Sequence, residues 1–169
     1  YVTCQDGYVY ALNSKTGAEL WRHQIGGTIT SIPAVSGDKV IAGSWGGPLY
    51  ALNITNGNPI WDLSIGTTGS VAVSENKAIV KVRNGTVYAL EIDDGSIVWD
   101  DGGVHSISYG KVFYMWGGTG HAWAIDLDSG ATIWETNYTS GSETHQHVGA
   151  VSDNKYFCVG GNSIYALDE

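Results

Sequence analysis

Basic side chains are scarce in this sequence. Eight Lys and Arg stand against 17 Asp and Glu in 169 residues, a formal net charge of −9 with His neutral. Such a surface repels phosphate backbones and anionic lipid, so nucleic acid and acidic membranes are disfavoured as partners. A cation, a basic protein or a neutral glycan remains compatible. Charged residues of both signs reach only 15%, too few for a chain built of Glu- and Lys-rich helices. Cysteine is limited to Cys4 and Cys158, at the ends of equivalent strands in distant repeats. They read as small core residues and not as a disulfide framework. No run approaches the ~18 apolar residues of a membrane helix, and no stretch has the pattern of a signal peptide. Tyr1 is not an initiator residue, which is expected of a processed or truncated chain.

Glycine and aromatics are plentiful: 24 Gly, 7 Trp and 10 Tyr within a hydrophobic content of 43%. That mixture suits short strands joined by tight turns. The stretch Tyr10-Ala11-Leu12-Asn13, then Gly17 and Trp21, returns as Tyr50-Ala51-Leu52-Asn53 with Gly57 and Trp61. It returns again as Tyr88-Ala89-Leu90-Glu91 with Gly95 and Trp99, and as Trp123-Ala124-Ile125-Asp126 with Gly130 and Trp134. Tyr165-Ala166-Leu167-Asp168 begins a fifth copy. In each complete copy the aromatic leads the Trp by 11 residues and the Gly leads it by 4, while the Trp-to-Trp steps are 40, 38 and 35. A fixed inner spacing with a variable outer one marks a repeated supersecondary unit whose loops absorb the length differences.

Each unit reads as four strands, A to D. The clearest has strand A at 29–35, B at 40–44, C at 49–53 and D at 59–63. Between C and D, each repeat Gly supplies a left-handed residue, and Asn13, Asn53 and Asp126 open their loops with a side chain able to accept from following N–H groups. Between A and B, Ser36-Gly37-Asp38-Lys39 recurs as Ser74-Glu75-Asn76-Lys77 and Ser152-Asp153-Asn154-Lys155, and more loosely as Ser108-Tyr109-Gly110-Lys111. The aromatics on C and the Trp on D are expected to pack into the seams between units, each burying ~150–250 Å². Four-stranded antiparallel units at a ~40-residue period build a β-propeller. The expected blades are residues 1–26, 27–66, 67–102, 103–140 and 141–169.

The pattern [Tyr/Trp]-Ala-[Leu/Ile]-[Asn/Asp]-x-x-x-Gly-x-x-x-Trp resembles the PQQ-like repeat, the blade motif of the quinoprotein alcohol dehydrogenase-like propellers. The resemblance covers essentially the whole chain, with mild departures at Glu91, Trp123 and Ile125. It implies an all-β propeller and leaves function open. The superfamily includes quinone-dependent dehydrogenases, outer-membrane assembly lipoproteins resembling BamB, and extracytoplasmic sensor domains. In the dehydrogenases the cofactor site typically carries a disulfide between adjacent cysteines, a Trp under the quinone, and a Ca²⁺ or lanthanide held by Glu, Asn and Asp. This sequence has no adjacent cysteines, no recognisable acidic ligand set and no Cys-x-x-Cys-His haem attachment. The resemblance therefore transfers architecture and no catalytic residue. It also implies seven or eight blades in all. Three strands at the start, four in each of three full units and three at the end total 18. A closed four-bladed ring holds 16, so an open arc with a partial first and last blade, part of a chain of roughly 280–320 residues, is expected.

The A–B and C–D turns are monotonous and share one face; the B–C and D–A connections share the other and hold the irregular residues. Candidate binding residues there are Trp45, Trp116, Arg83, Asp100, Asp101 and Glu143. Trp45 and Trp116 occupy matching positions outside the repeat signature, beside Gly-Gly pairs suited to stacking on a sugar, a peptide or a planar cofactor. Asp100 and Asp101 read as a solvated loop with some capacity for Ca²⁺. His145-Gln146-His147 places both imidazoles on one side of an extended chain, with His105 on the inner strand of the preceding blade as a third metal ligand; the alternative is polar lining bonded to water. Asn53, Asn84 and Asn137 head N-glycosylation sequons at turns or strand ends. Together these favour a non-catalytic, extracytoplasmic binding or scaffold module for a protein or glycan, with no cofactor. The alternatives are a segment of a quinoprotein dehydrogenase, needing pyrroloquinoline quinone and Ca²⁺ with ligands outside this stretch, and a ligand-sensing ectodomain.

Overall fold

The computed structural model describes residues 1–29, 31–102, 104–108, 110–116, 121–137, 146–147, 151–152, 155–160 and 163–168, with side chains at 1–29, 31–68, 71–101, 110–113, 121 and 123–136. The chain divides into two compact units, Tyr1–Asp101 and Gly102–Glu169. Among the described residues all regular structure is strand. No helix there is long and apolar enough to cross a membrane.

The first unit holds three antiparallel sheets. The first is β1 (Val2–Thr3), β2 (Tyr8–Leu12) and β3 (Glu19–Gln24), in that spatial order. The second runs β4 (Ala34–Ser36), β5 (Lys39–Gly43), β6 (Leu49–Asn53) and β7 (Pro59–Leu63). The third runs β8 (Thr67–Ser74), β9 (Lys77–Val82), β10 (Thr86–Glu91) and β11 (Ile97–Gly102). After Lys39, strand β5 is apolar because it is buried on both faces. Val40 and Ala42 join Val9, Ala11, Trp21 and Ile29 in one core cluster, while Ile41 joins Leu49, Ala51, Ala78, Val80 and Leu90 in the next. Successive side chains of a strand point to opposite faces, so one run of apolar residues serves two seams.

The second unit holds β12 (Val104–Ser108), β13 (Lys111–Trp116), β14 (His121–Asp126) and β15 (Thr132–Asn137) in one sheet. In the other, β16 (Gln146–His147) and β17 (Val151–Ser152) both pair with β18 (Lys155–Gly160), whose far edge pairs with β19 (Ser163–Asp168). The described parts of strand A of this sheet, expected over 148–151, are Gln146–His147 and Val151–Ser152. Strand A of the second sheet is shorter than 29–35. Pro33 has no N–H to give to a ladder, and the Ser31 carbonyl accepts instead from the Thr3 hydroxyl, so pairing starts only at Ala34.

The repeat signature is a clasp between sheets. In all four C–D loops the Gly has φ between 69° and 74° and donates its N–H to the carbonyl of the residue four before it. The Asn13 Oδ1 accepts from Lys15 and Thr16, the Asn53 Oδ1 from Thr55 and Asn56, and the Asp126 Oδ1 from Ser129. On the Gly57 and Gly95 loops the Trp of the preceding sheet then lies against the turn. Trp21 Nε1 donates to the Ile54 carbonyl at 3.0 Å, and Trp61 Nε1 donates to that of Ile92 at 2.9 Å. Both carbonyls belong to residues whose own N–H donates to an A–B turn, Ile54 to the Asp38 carbonyl and Ile92 to that of Asn76. The A–B lysines add charge to this face: Lys39 bridges Asp38 and Asp93 of the next sheet, and Lys77 pairs with Glu91 at 3.0 Å.

The outer edges of three sheets are broken in the same way. Registers shift between Ala11 and Leu12, Ala51 and Leu52, and Ala124 and Ile125, leaving Leu20, Ile60 and Ile133 as the extra residue of a bulge on strand D. All three aliphatics are exposed. A bulge twists an edge away from pairing with another chain.

The turn carboxylates contribute to the acid dependence of this fold. The hydrogen bond and charge of Lys39 hold Asp38 below the usual carboxylate range; the Ser96 hydroxyl and N–H do so for Asp94, and those of Ser129 for Asp126. A depressed folded-state pKa means that the unfolded chain binds protons first. Their contribution is complete above the ordinary value of about 4 and is lost as pH falls through the lower folded values. Urea midpoints are expected to be flat in these groups from pH 7 to 5 and to fall below pH 4; midpoints rising on acidification below pH 4 would contradict it.

Candidate binding face

Three B–C turns are built alike. Gly7 N–H donates to the Cys4 carbonyl at 3.1 Å, Gly47 to Ser44 at 3.0 Å and Gly85 to Val82 at 3.0 Å. Each is a four-residue turn closing on glycine. Their second positions hold Gln5, Trp45 and Arg83, all exposed. Backbone bonds fix these turns to the D–A connections. Trp45 N–H donates to the Thr28 carbonyl at 2.9 Å, and Arg83 N–H donates to that of Gly66 at 3.0 Å. Thr67 N–H reaches the Gly47 carbonyl at 3.1 Å while Gly46 N–H reaches that of Thr67 at 2.8 Å. The Thr67 hydroxyl donates to the Ser44 carbonyl at 3.0 Å. Side chains on these turns are therefore presented by a stiff frame.

Trp45 is 55% exposed, and Arg83 crosses the turn beside it. A β carbon at Gly46, whose φ is 70°, would meet Arg83 Nη1 at 2.9 Å and Cδ at 3.1 Å. The guanidinium thus occupies space that only glycine leaves open. Among the described residues Arg83 forms no ion pair and no side-chain hydrogen bond, whereas Arg22, Lys39 and Lys77 pair with carboxylates.

The structure corrects several sequence-derived expectations. Trp116 does not match Trp45. It is the last residue of β13 and pairs with His121, the place that Ser44 takes opposite Pro48; the register puts Trp45 in line with Arg83 instead. Asp100 and Asp101 lie within β11 and not in a loop. Neighbours on a strand point to opposite faces, so the pair cannot grip one cation together. Cys4 is an exposed free thiol and not a core residue, because it begins a turn on the first sheet. His105 lies on β12 opposite Tyr114 and His147 on β16 opposite Val159. Their side chains, with His145, Glu143 and the side chains of Trp116, Asn137 and Cys158, lie outside the described residues. Among the sequons, Asn84 is exposed with its Oδ1 accepting from Thr86 N–H, and Asn53 is half-buried. Sequence reasoning missed His121, which stacks on Trp123 and lies 3.3 Å from Glu135. Its signal was the place two residues before the repeat aromatic.

The two cysteines are 154 residues apart in sequence, and among the described residues no three His, Cys, Asp or Glu side chains gather to hold a metal.

Four-stranded antiparallel sheets joined in A–B–C–D order, clasped Trp to Gly across each seam of the first unit, define a β-propeller of PQQ-like repeats. The chain belongs to the family described as outer membrane protein assembly factor BamB, whose model matches residues 5–169. A stretch of 79 residues is 32% identical to the BamB of Shewanella oneidensis, covering 43% of this chain and 20% of that protein. Another of 72 residues is 38% identical to the lanthanide-dependent methanol dehydrogenase of Methylacidiphilum fumariolicum, covering 36% of this chain and 12% of that enzyme. The crystal structure of BamB from Moraxella catarrhalis superimposes with a TM-score of 0.73 at 21% identity, over 98% of this chain and 53% of that one. The chain thus spans about half of that solved relative and a fifth or less of the two curated ones.

Proposed function

We propose that this chain is part of a non-catalytic propeller that serves as a binding and scaffold module for a protein partner outside the cytoplasm. The extent of the family match carries the reading. The assembly-factor model accounts for residues 5–169, while the similarity to the methanol dehydrogenase covers 36% of the chain, and the sequence has no adjacent cysteines. The assembly role and the outer membrane named for those relatives support a protein partner and an extracytoplasmic setting. A second reading, a segment of a quinoprotein dehydrogenase, is favoured by one observation: the 38% identity to that enzyme exceeds the 32% to the assembly factor.

Titration with pyrroloquinoline quinone together with Ca²⁺ or a lanthanide, followed by absorbance and thermal shift, separates the two. No saturable change is expected. Saturable binding in the micromolar range would sink the scaffold reading and establish the enzymatic one.

A further inference from the structure

The two turns that carry Trp45 and Arg83 form one surface feature with a definite chemistry. Both residues hold the second position of the same turn in successive sheets, and both backbone N–H groups are tied down. The guanidinium lies across Gly46, next in sequence to the exposed indole, and has no partner among the described residues. A guanidinium recognises a carboxylate through parallel N–H···O bonds, and an exposed indole covers an apolar or aromatic group. Trp and Arg are also the side chains that dominate protein–protein contacts.

The rest of the molecule narrows the ligand. With 17 acidic residues against 8 basic ones, the field around the chain opposes the approach of a polyanion. One carboxylate on an otherwise neutral or basic ligand meets Arg83 without that penalty. A sugar acid fits less well, because Asn84, next in sequence to Arg83, has its Oδ1 engaged by Thr86 N–H.

We propose that the adjacent turns Ser44–Gly47 and Val82–Gly85 are a docking point for an extended protein segment carrying a single Asp or Glu beside an apolar side chain. The carboxylate pairs with Arg83, the apolar side chain lies on Trp45, and the flanking residues are neutral or basic. This deepens the scaffold reading and rests on it.

The test uses the whole ¹⁵N-labelled chain and acetyl-Leu-Trp-Glu-Lys-amide as probe, observed at the Trp45 indole and Arg83 Nε–H resonances. Saturable shifts at both are expected. Affinity is expected to fall about tenfold when the peptide Glu is replaced by Gln, and as much in Arg83→Gln or Trp45→Ala. Arg83→Lys, which keeps the charge and loses the fork, is expected to fall between. Both side chains project from turns, so thermal melts should confirm that each variant stays folded. Absent shifts, or shifts unchanged in Arg83→Gln, overturn the proposal. Stronger binding of glucuronate makes the point a sugar site, and equal or stronger binding of hexaglutamate makes it a plain anion patch; either result also overturns it. Failure here leaves the scaffold reading standing, since the quinone titration decides that separately.

Discussion

Gly57→Ala is expected to destabilise the protein by roughly 2–5 kcal/mol, and Gly17→Ala by only about 1–2 kcal/mol. Both glycines have a φ of 71°, so both substitutions incur the left-handed backbone penalty of roughly 1–2 kcal/mol. Only one has a neighbour. A β carbon at Gly57 would stand 2.5 Å from Cε3 and 2.7 Å from Cδ2 of Trp21. That ring is held by its bond to the Ile54 carbonyl and by the core cluster around it, so it cannot swing aside cheaply; overpacking of this kind costs about 1–3 kcal/mol more. At Gly17 the same carbon meets nothing within 4 Å. Gly95 belongs with Gly57, since its β carbon would lie 2.8 Å from the Trp61 ring. Urea midpoints of the three variants provide the measurement. Equal losses at Gly17 and Gly57 would show that turn strain alone explains the repeat glycine and that the clasp adds nothing.

Trp61→Ala is expected to cost ~3–5 kcal/mol, against less than about 0.5 kcal/mol for Trp45→Ala. The two indoles differ in what they touch. Trp61 packs on the cluster of Ile41, Leu49, Ala78, Val80 and Leu90, lies on Gly95, and gives its N–H to Ile92. Removing it opens a cavity and strips the Ile92 carbonyl of a donor. Trp45 is mostly in solvent on a turn whose geometry is fixed by backbone bonds, so its loss removes no frame. Denaturant unfolding of both variants decides the matter: a midpoint for Trp45→Ala as low as that for Trp61→Ala would reverse the assignment of core and surface.

The turns were legible where their chemistry is local. Asn13, Asn53 and Asp126 were readable as loop openers because an Asx side chain bonds N–H groups two and three residues on, and the four repeat glycines because a positive φ is a local demand. The binding face was less legible. Trp45 and Trp116 look alike beside their Gly-Gly pairs, yet a difference of one residue in pairing puts Trp116 on a strand and leaves Trp45 on a turn in line with Arg83. Asp100 and Asp101 look like a loop pair until β11 is seen to run through them. Register is fixed by the ladder with the neighbouring strand, and a shift of one changes the face that a side chain serves.

The sequence by itself determined the repeated four-stranded unit, its turns, and the packing of Trp21 and Trp61 against core residues, because a period of two along strands and a recurring Gly–Trp spacing are properties of consecutive residues. Only the tertiary structure decided which glycine each tryptophan rests on. Within the repeat Trp21 follows Gly17, but in space it covers Gly57, and Trp61 covers Gly95. The same holds for Arg83 over Gly46. These contacts cross a seam between sheets, and it is the stacking of one unit on the next, which no local spacing encodes, that brings the two partners together.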